Sequence, residues 1–120
     1  MVLRKNIPST ASVVQKTNGD QLHSPAAERN AGDIVRVVCD YAPKNGNALE
    51  IASGTGQHIV ELAAVVPSLI WQPSDVDEIR LNSIATRSRA KQLPNLMPPI
   101  RLDVTDKGWS ALCPNPDFIL

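Results

Sequence analysis

Glu50, Gly54, Gly56, Asp75 and Asp103 are the residues whose types and spacing could hold a small charged nucleoside. Gly54 and Gly56 close a short apolar run, so the backbone there can turn sharply and approach a ligand with no Cβ in the way. The amides that open the next helix are then free to donate. Asp75 follows a second apolar run, 19 positions after Gly56. A carboxylate there can accept both ribose hydroxyls, as the acid about 20 residues past the glycines does in dinucleotide folds. Asp103 closes a third run, where it can accept from an adenine amino group. Glu50 completes an E-x-x-x-G-x-G string and places a carboxylate just beneath the glycine turn. An acid at that point suits a ligand carrying sulfonium and ammonium groups and does not suit a diphosphate. Taken singly, the glycines are a tight turn, Asp75 a helix cap and Asp103 a strand terminator. In register with three successive strand ends they describe one nucleoside site.

Several chemistries are excluded. A dinucleotide fingerprint, G-x-G-x-x-G, requires glycine where the chain has Ile59, which counts against a nicotinamide-dependent oxidoreductase. No G-x-x-x-x-G-K-[ST] string occurs, so there is no P-loop. Cys39 and Cys113 form no C-x-x-C pair, which argues against zinc or a dithiol centre and fits a reducing, cytoplasmic setting. The 12 basic and 12 acidic residues cancel, leaving no overall field toward nucleic acid or an anionic membrane. No run approaches the ~20 apolar residues that span a bilayer, so no membrane partner is expected. Arg80, Arg87, Arg89 and Lys91 read as a solvated helix face rather than a nucleic-acid patch, and Trp71 and Trp109 as packing residues. His58, in the first turn after the glycines, has two open readings: a general base, or a structural histidine.

The elements that must position these groups can be read from the pattern. At 120 residues the chain builds one domain. Ser24-Pro25 opens a helix, with Glu28 in its first turn and Ala27, Ala31, Ile34, Val38 and Tyr41 on one stripe. The cluster Ala42–Asn47 stops it. Strands are expected over Ala48–Ala52, Leu69–Gln72 and Ile100–Val104, with a fourth beginning within Pro116–Leu120. A helix carrying Ile59, Leu62, Ala63 and Val66 runs to Pro67, and Ser74 with Asp77 fits the S-x-x-D capping pattern for another that reaches about Ala90. Residues 92–99 form a proline-rich loop, and Trp109–Leu112 a turn or short helix. Strands alternating with helices imply a parallel α/β sandwich with right-handed crossovers.

Residues 1–22 read as an unstructured leader, with Arg4, Lys5 and Lys16 and no acid before Asp20. That composition also has a faint mitochondrial transit character, the alternative to a cytoplasmic location. Residues 23–120 are then the folded part.

Three strings narrow the reading: Ser24-Pro-Ala-Ala-Glu-Arg-Asn30, Leu49-Glu-Ile-Ala-Ser-Gly-Thr-Gly-Gln-His58 and Trp71-Gln-Pro-Ser-Asp75. Together they resemble the methyltransferase-like protein 26 family, which has a class I S-adenosylmethionine-dependent methyltransferase fold and no assigned substrate. The resemblance implies a Rossmann-like sheet of about four parallel strands with flanking helices. It implies S-adenosylmethionine as cofactor, with Glu50, Gly54 and Gly56 at the methionine part, Asp75 at the ribose and Asp103 beside the adenine. Arg29 and Asn30 match the family's N-terminal string, where they either cover the cofactor or form the substrate entrance, with a solvated helix position the other reading of Arg29. A complete domain of this type is longer, so the chain is expected to be its cofactor-binding half, a truncated form, with the first strand exposed on one side. Two functions are then open: a methyltransferase of unknown acceptor, or a non-catalytic product that pairs with another chain through an exposed sheet edge.

Overall fold

The computed structural model of the chain describes residues 14–16 and 19–120. A short antiparallel pair, β1 (Gln15–Lys16) and β2 (Leu22–His23), precedes the domain. Most of the expected leader lies outside the described residues, but its last residue, Leu22, is buried and its N–H donates to Ser83 Oγ at 2.8 Å. Folded structure therefore begins before Ser24.

Helix α1 (Pro25–Tyr41) starts as its sequence dictates, with Ser24 Oγ accepting from Ala27 N and proline at the first helical position. Ala31 and Val38 are buried, whereas Tyr41, expected on the same stripe, is 78% exposed. Strand β3 (Gly46–Glu50) begins two residues before the expected run and ends before Ile51-Ala52, which belong to the turn. Helix α2 (Gln57–Val65) carries Ile59, Val60, Leu62 and Ala63 into the core.

Strand β4 (Leu69–Asp75) runs three residues beyond its apolar stretch, through Pro73 and Ser74. This shifts the cap of helix α3 (Glu78–Lys91). Asp77, not Ser74, is the N-cap, accepting from Ile79 N at 3.0 Å. Ser74 is fully buried in the strand, so its hydroxyl turns to the Glu50 carbonyl instead. Strand β5 (Ile100–Arg101) is only two residues long, a 3-10 turn covers Trp109–Leu112, and β6 is Phe118–Ile119.

These strands form one parallel sheet in the order β5-β4-β3-β6. The chain steps outward from β3 to β4 and β5, then crosses back to lay β6 on the other side of β3. The switch in strand order falls between β3 and β6, and the glycine turn lies at the carboxyl end of β3, where open α/β sheets bind ligands. The first strand of this sheet is consequently paired on both sides, and the open edge on that flank belongs to β6.

Register puts Ala48 beside Trp71 on one side and Phe118 on the other. This face carries the core, in which Val38, Ile59, Leu62, Ala63, Leu69 and Trp71 pack together. Trp71 is fully buried, edge-to-face with Phe118 at 6.4 Å, and its indole N–H donates to Val66 O. On the opposite face Ile70 and Ile119 are about half exposed, while Leu49, paired with Ile119, is fully buried.

Candidate functional site

The turn between β3 and α2 is fastened from three directions. From β4, Ser53 N donates to Ser74 O and Ser74 N to Ser53 Oγ, at 2.7 and 3.0 Å. Gly54 N donates to Asp75 Oδ2 at 2.9 Å. From α3, Ser83 Oγ and Arg87 Nε both donate to the Thr55 carbonyl, and Arg87 Nη2 reaches back to the Leu22 carbonyl. From the N-terminal segment, Gln57 Oε1 accepts from Ser24 N at 2.6 Å and from Thr55 Oγ1 at 2.7 Å. Arg87 is thus a clamp, not part of a solvated face, because its guanidinium reaches inward to two carbonyls. Burial lowers its pKa. Arg89 and Lys91 are exposed, as expected.

The two glycines do different work. Gly54 has φ +62, and a Cβ built there meets nothing within 4 Å, so it faces open space. Gly56, at φ +88, would bring a Cβ to 3.1 Å from Ile84 Cα. Its absent side chain lets α3 pack against the turn. Ala52 also holds a left-handed φ of 57, a conformation that costs a residue with a Cβ about 1 kcal/mol or more and that concentrates at ligand sites.

Asp75 is 4% exposed. Besides Gly54 N, its carboxylate accepts from Val76 N and Asp77 N through Oδ1. Three of its roughly four acceptor positions are therefore filled by backbone, and it locks the glycine turn to the end of β4. Asp103 does not end its strand, because β5 stops at Arg101. It lies in the following loop, where Oδ1 accepts from Thr105 Oγ1 and N at 2.6 and 2.9 Å. Those bonds, the hydroxyl's first, lower its pKa. The loop still runs beside Asp75, since Leu102 N donates to Asp75 O.

Glu50 is the outlier. It is 6% exposed, and Oε1 has no hydrogen-bond partner among the described residues. Burial raises its pKa, offset in part by the Ser53 hydroxyl and His58, while Asp75 pushes it further up. A carboxylate held dry beside a second acid is costly unless something positive meets it. His58 lies near enough to lower that pKa, and its Nε2 is engaged with the Ala27 carbonyl at 2.9 Å, a contact that ties α2 to α1. Above the turn opens a cavity of about 320 Å³ bordered by Ser24, Ala27, Ser53, Gly54, His58 and Arg80. Arg29 and Asn30 are exposed on α1 and do not border it. Among the described residues no three histidine, cysteine or acidic side chains gather as a metal site. No described helix is long and apolar enough to cross a membrane.

Sequence pattern does not mark Ser53, Gln57 or Ser83 as part of the site, and it marks Ser74 only as a helix cap. Ser53 and Ser74 flank the glycine and acid motifs, and hydroxyls in such positions are the signal that points to them. Ser83 and Gln57 carry no such signal, being ordinary helix residues until the fold brings them to the turn.

The family described as "Protein of unknown function (DUF938)" matches residues 21–117, and the chain belongs to it. Three solved structures share the fold. The YjhP protein from E. coli superposes with a TM-score of 0.54 at 15% identity, over 67% of this chain and 31% of that one. Coclaurine N-methyltransferase bound to N-methylheliamine and SAH gives 0.56 at 16% identity, over 83% and 29%. The DszA carbon methyltransferase gives 0.51 at 12%, over 71% and 24%. This chain therefore spans under a third of the length of each of those proteins. The likeness establishes the mixed α/β, Rossmann-like architecture with its parallel four-stranded sheet.

Proposed function

We propose that this member of the DUF938 family binds S-adenosylmethionine as part of a class I methyltransferase resembling the methyltransferase-like protein 26 family, with an acceptor still to be assigned. The observation that carries the reading is Glu50: a buried carboxylate oxygen without a partner among the described residues, at the end of the strand that leads into a glycine turn whose Ser53, Gly54 and Thr55 border a cavity of about 320 Å³. The residues fit the cofactor. An ammonium or sulfonium group would supply the positive charge Glu50 lacks. Gly54 offers open backbone for close approach, and Asp75 keeps one acceptor position for a ribose hydroxyl. Val76, Ile79 and Val104 are at least two-fifths exposed around the ends of β4 and β5, an apolar surface suited to an adenine beside Asp103. Gly56 contributes by letting α3 close on the turn. When bound, the cofactor supplies an electrophilic methyl group; the chain's own residues bind and orient it by position and charge. One of the three structural neighbours is described as bound to SAH.

Isothermal titration of the 120-residue chain tests this reading. Micromolar binding of S-adenosylmethionine and S-adenosylhomocysteine is expected, lost at least tenfold in Gly54→Val, where a branched side chain would fill the open space. An absence of heat with both ligands, or binding of NADH instead, refutes it.

A second reading is favoured by the open flank of the sheet. Among the described residues β6 has one unpaired edge, and Ile119 and Leu120 are 50% and 39% exposed. Pairing with another chain through that edge would cover them. Sedimentation that stays monomeric at all concentrations counts against it.

A further inference from the structure

We infer that the cleft between α1 and α3 is a self-association surface, in which a second copy of this chain seats its own α3 about a two-fold axis and sets its Lys91 against Glu61. The inference is independent of the cofactor reading and concerns a different surface from the β6 edge.

Helix α2 packs against both α1 and α3, and the space over it is a cavity of about 550 Å³. Small residues border this space, Ala31 and Gly32 from α1 and Ala64 from α2, and a Cβ built on Gly32 would meet nothing within 4 Å. Walls this low let another helix approach to about the 8–10 Å axis separation of packed helices.

Charge decides what fits there. Among the described residues the acids at the cleft, Glu28 and Glu61, stand on α1 and α2, whereas its arginine and lysine, Arg87 and Lys91, stand one turn apart on α3. Glu28 is engaged with His23 at 3.1 Å, and the Arg87 guanidinium holds the Thr55 and Leu22 carbonyls. Glu61 and Lys91 are both exposed, and neither has an ion partner among the described residues. A small anion in the cleft would meet the two acids, and a small cation the two bases. A surface with acids along one side and bases along the other is matched by its own copy turned about a two-fold axis. That rotation lays the α3 ridge of one copy in the cleft of the other, sets the partner's Lys91 against Glu61, and repeats the contact with the roles exchanged. The 12 basic and 12 acidic residues of the chain cancel, so no net repulsion opposes two copies meeting.

Sedimentation of five samples tests the inference: the intact chain, Glu61→Lys, Lys91→Glu, an equal mixture of those two variants, and the chain carrying both exchanges. The intact chain should form dimers that weaken as salt is added. Each single variant sets like charges opposite one another twice per dimer and should raise the dimer Kd at least about tenfold. The mixture should recover heterodimers, because the lysines of one chain then face the glutamates of the other at both contacts. The doubly exchanged chain should recover homodimers. Melting curves establish that the single variants fold as the intact chain does, and if either melts lower, the doubly exchanged chain carries the decision. An intact chain that stays monomeric up to millimolar concentration overturns the inference. So does a dimer indifferent to both single variants, which belongs to another surface such as the β6 edge, and so does a loss that neither the mixture nor the doubly exchanged chain restores.

Discussion

Replacing Glu50 with glutamine keeps the side chain's shape and removes its charge, and the structure fixes the sign of the effect. Glu50 is 6% exposed with one oxygen unpartnered, and burial raises its pKa above the ordinary carboxylate value. A group whose folded pKa is raised contributes its stability below the unfolded pKa and loses it as pH rises through the folded one. The unliganded wild type is therefore penalised at neutral pH relative to Glu50→Gln, and the difference vanishes in acid. An unsatisfied buried polar or charged group costs on the order of 1–3 kcal/mol. Glutamine still buries a polar amide, so the low end applies, about 1 kcal/mol, or roughly 4–8 °C in Tm for a domain of this size. Thermal melts of both proteins across about pH 4 to 8 measure the difference directly. The variant should melt higher at neutral pH and bind S-adenosylmethionine at least tenfold more weakly, stability and binding moving in opposite directions. A variant that melts lower at neutral pH, with the same pH dependence as wild type, would show that Glu50 is a satisfied structural residue and would remove the main support for a cationic ligand.

The two glycines should separate in the same assays. Gly56→Ala is expected to destabilise by about 2–3 kcal/mol, combining a left-handed backbone with a contact against Ile84, whereas Gly54→Ala should cost about 1 kcal/mol; denaturant titration distinguishes them. Arg87→Met should cost about 1.5–3 kcal/mol and speed amide exchange at Leu22, because the clamp on the Thr55 and Leu22 carbonyls is lost, while Arg89→Ala should stay within about 0.5 kcal/mol. Asp75→Asn should lower stability by about 1–3 kcal/mol even without ligand, since the carboxylate accepts from three amides. A binding loss in that variant has to be read against its melting curve, and a variant as stable as wild type would mean those amide bonds contribute little.

Alternation of short apolar runs with helical stripes was enough to expect a parallel α/β sheet, and the Ser24-Pro25 start of α1 and the glycine turn after β3 were legible because they depend on local chemistry. The acids at positions 50, 75 and 103 were also visible as spaced strand-end residues. Their environments were not, because burial and hydrogen bonding depend on neighbours far away in sequence. Asp75 became a turn lock only when the parallel pairing of β3 with β4 brought it to Gly54. Asp103 fell into a loop because β5 has just two residues paired with β4. Ser74 left its capping role because β4 continues three residues past the apolar run. Arg87 and Arg80 share a helix and look alike in sequence, yet one is drawn inward to two carbonyls and the other is left on a cavity rim. The sequence by itself determined which elements form and which residue types stand at the strand ends, since propensity and periodicity act over a few residues. Tertiary structure alone decided that β6 returns beside β3 and that one oxygen of the Glu50 carboxylate is sealed without a partner among the described residues, because both depend on which surfaces the closed sheet and its helices leave out of water.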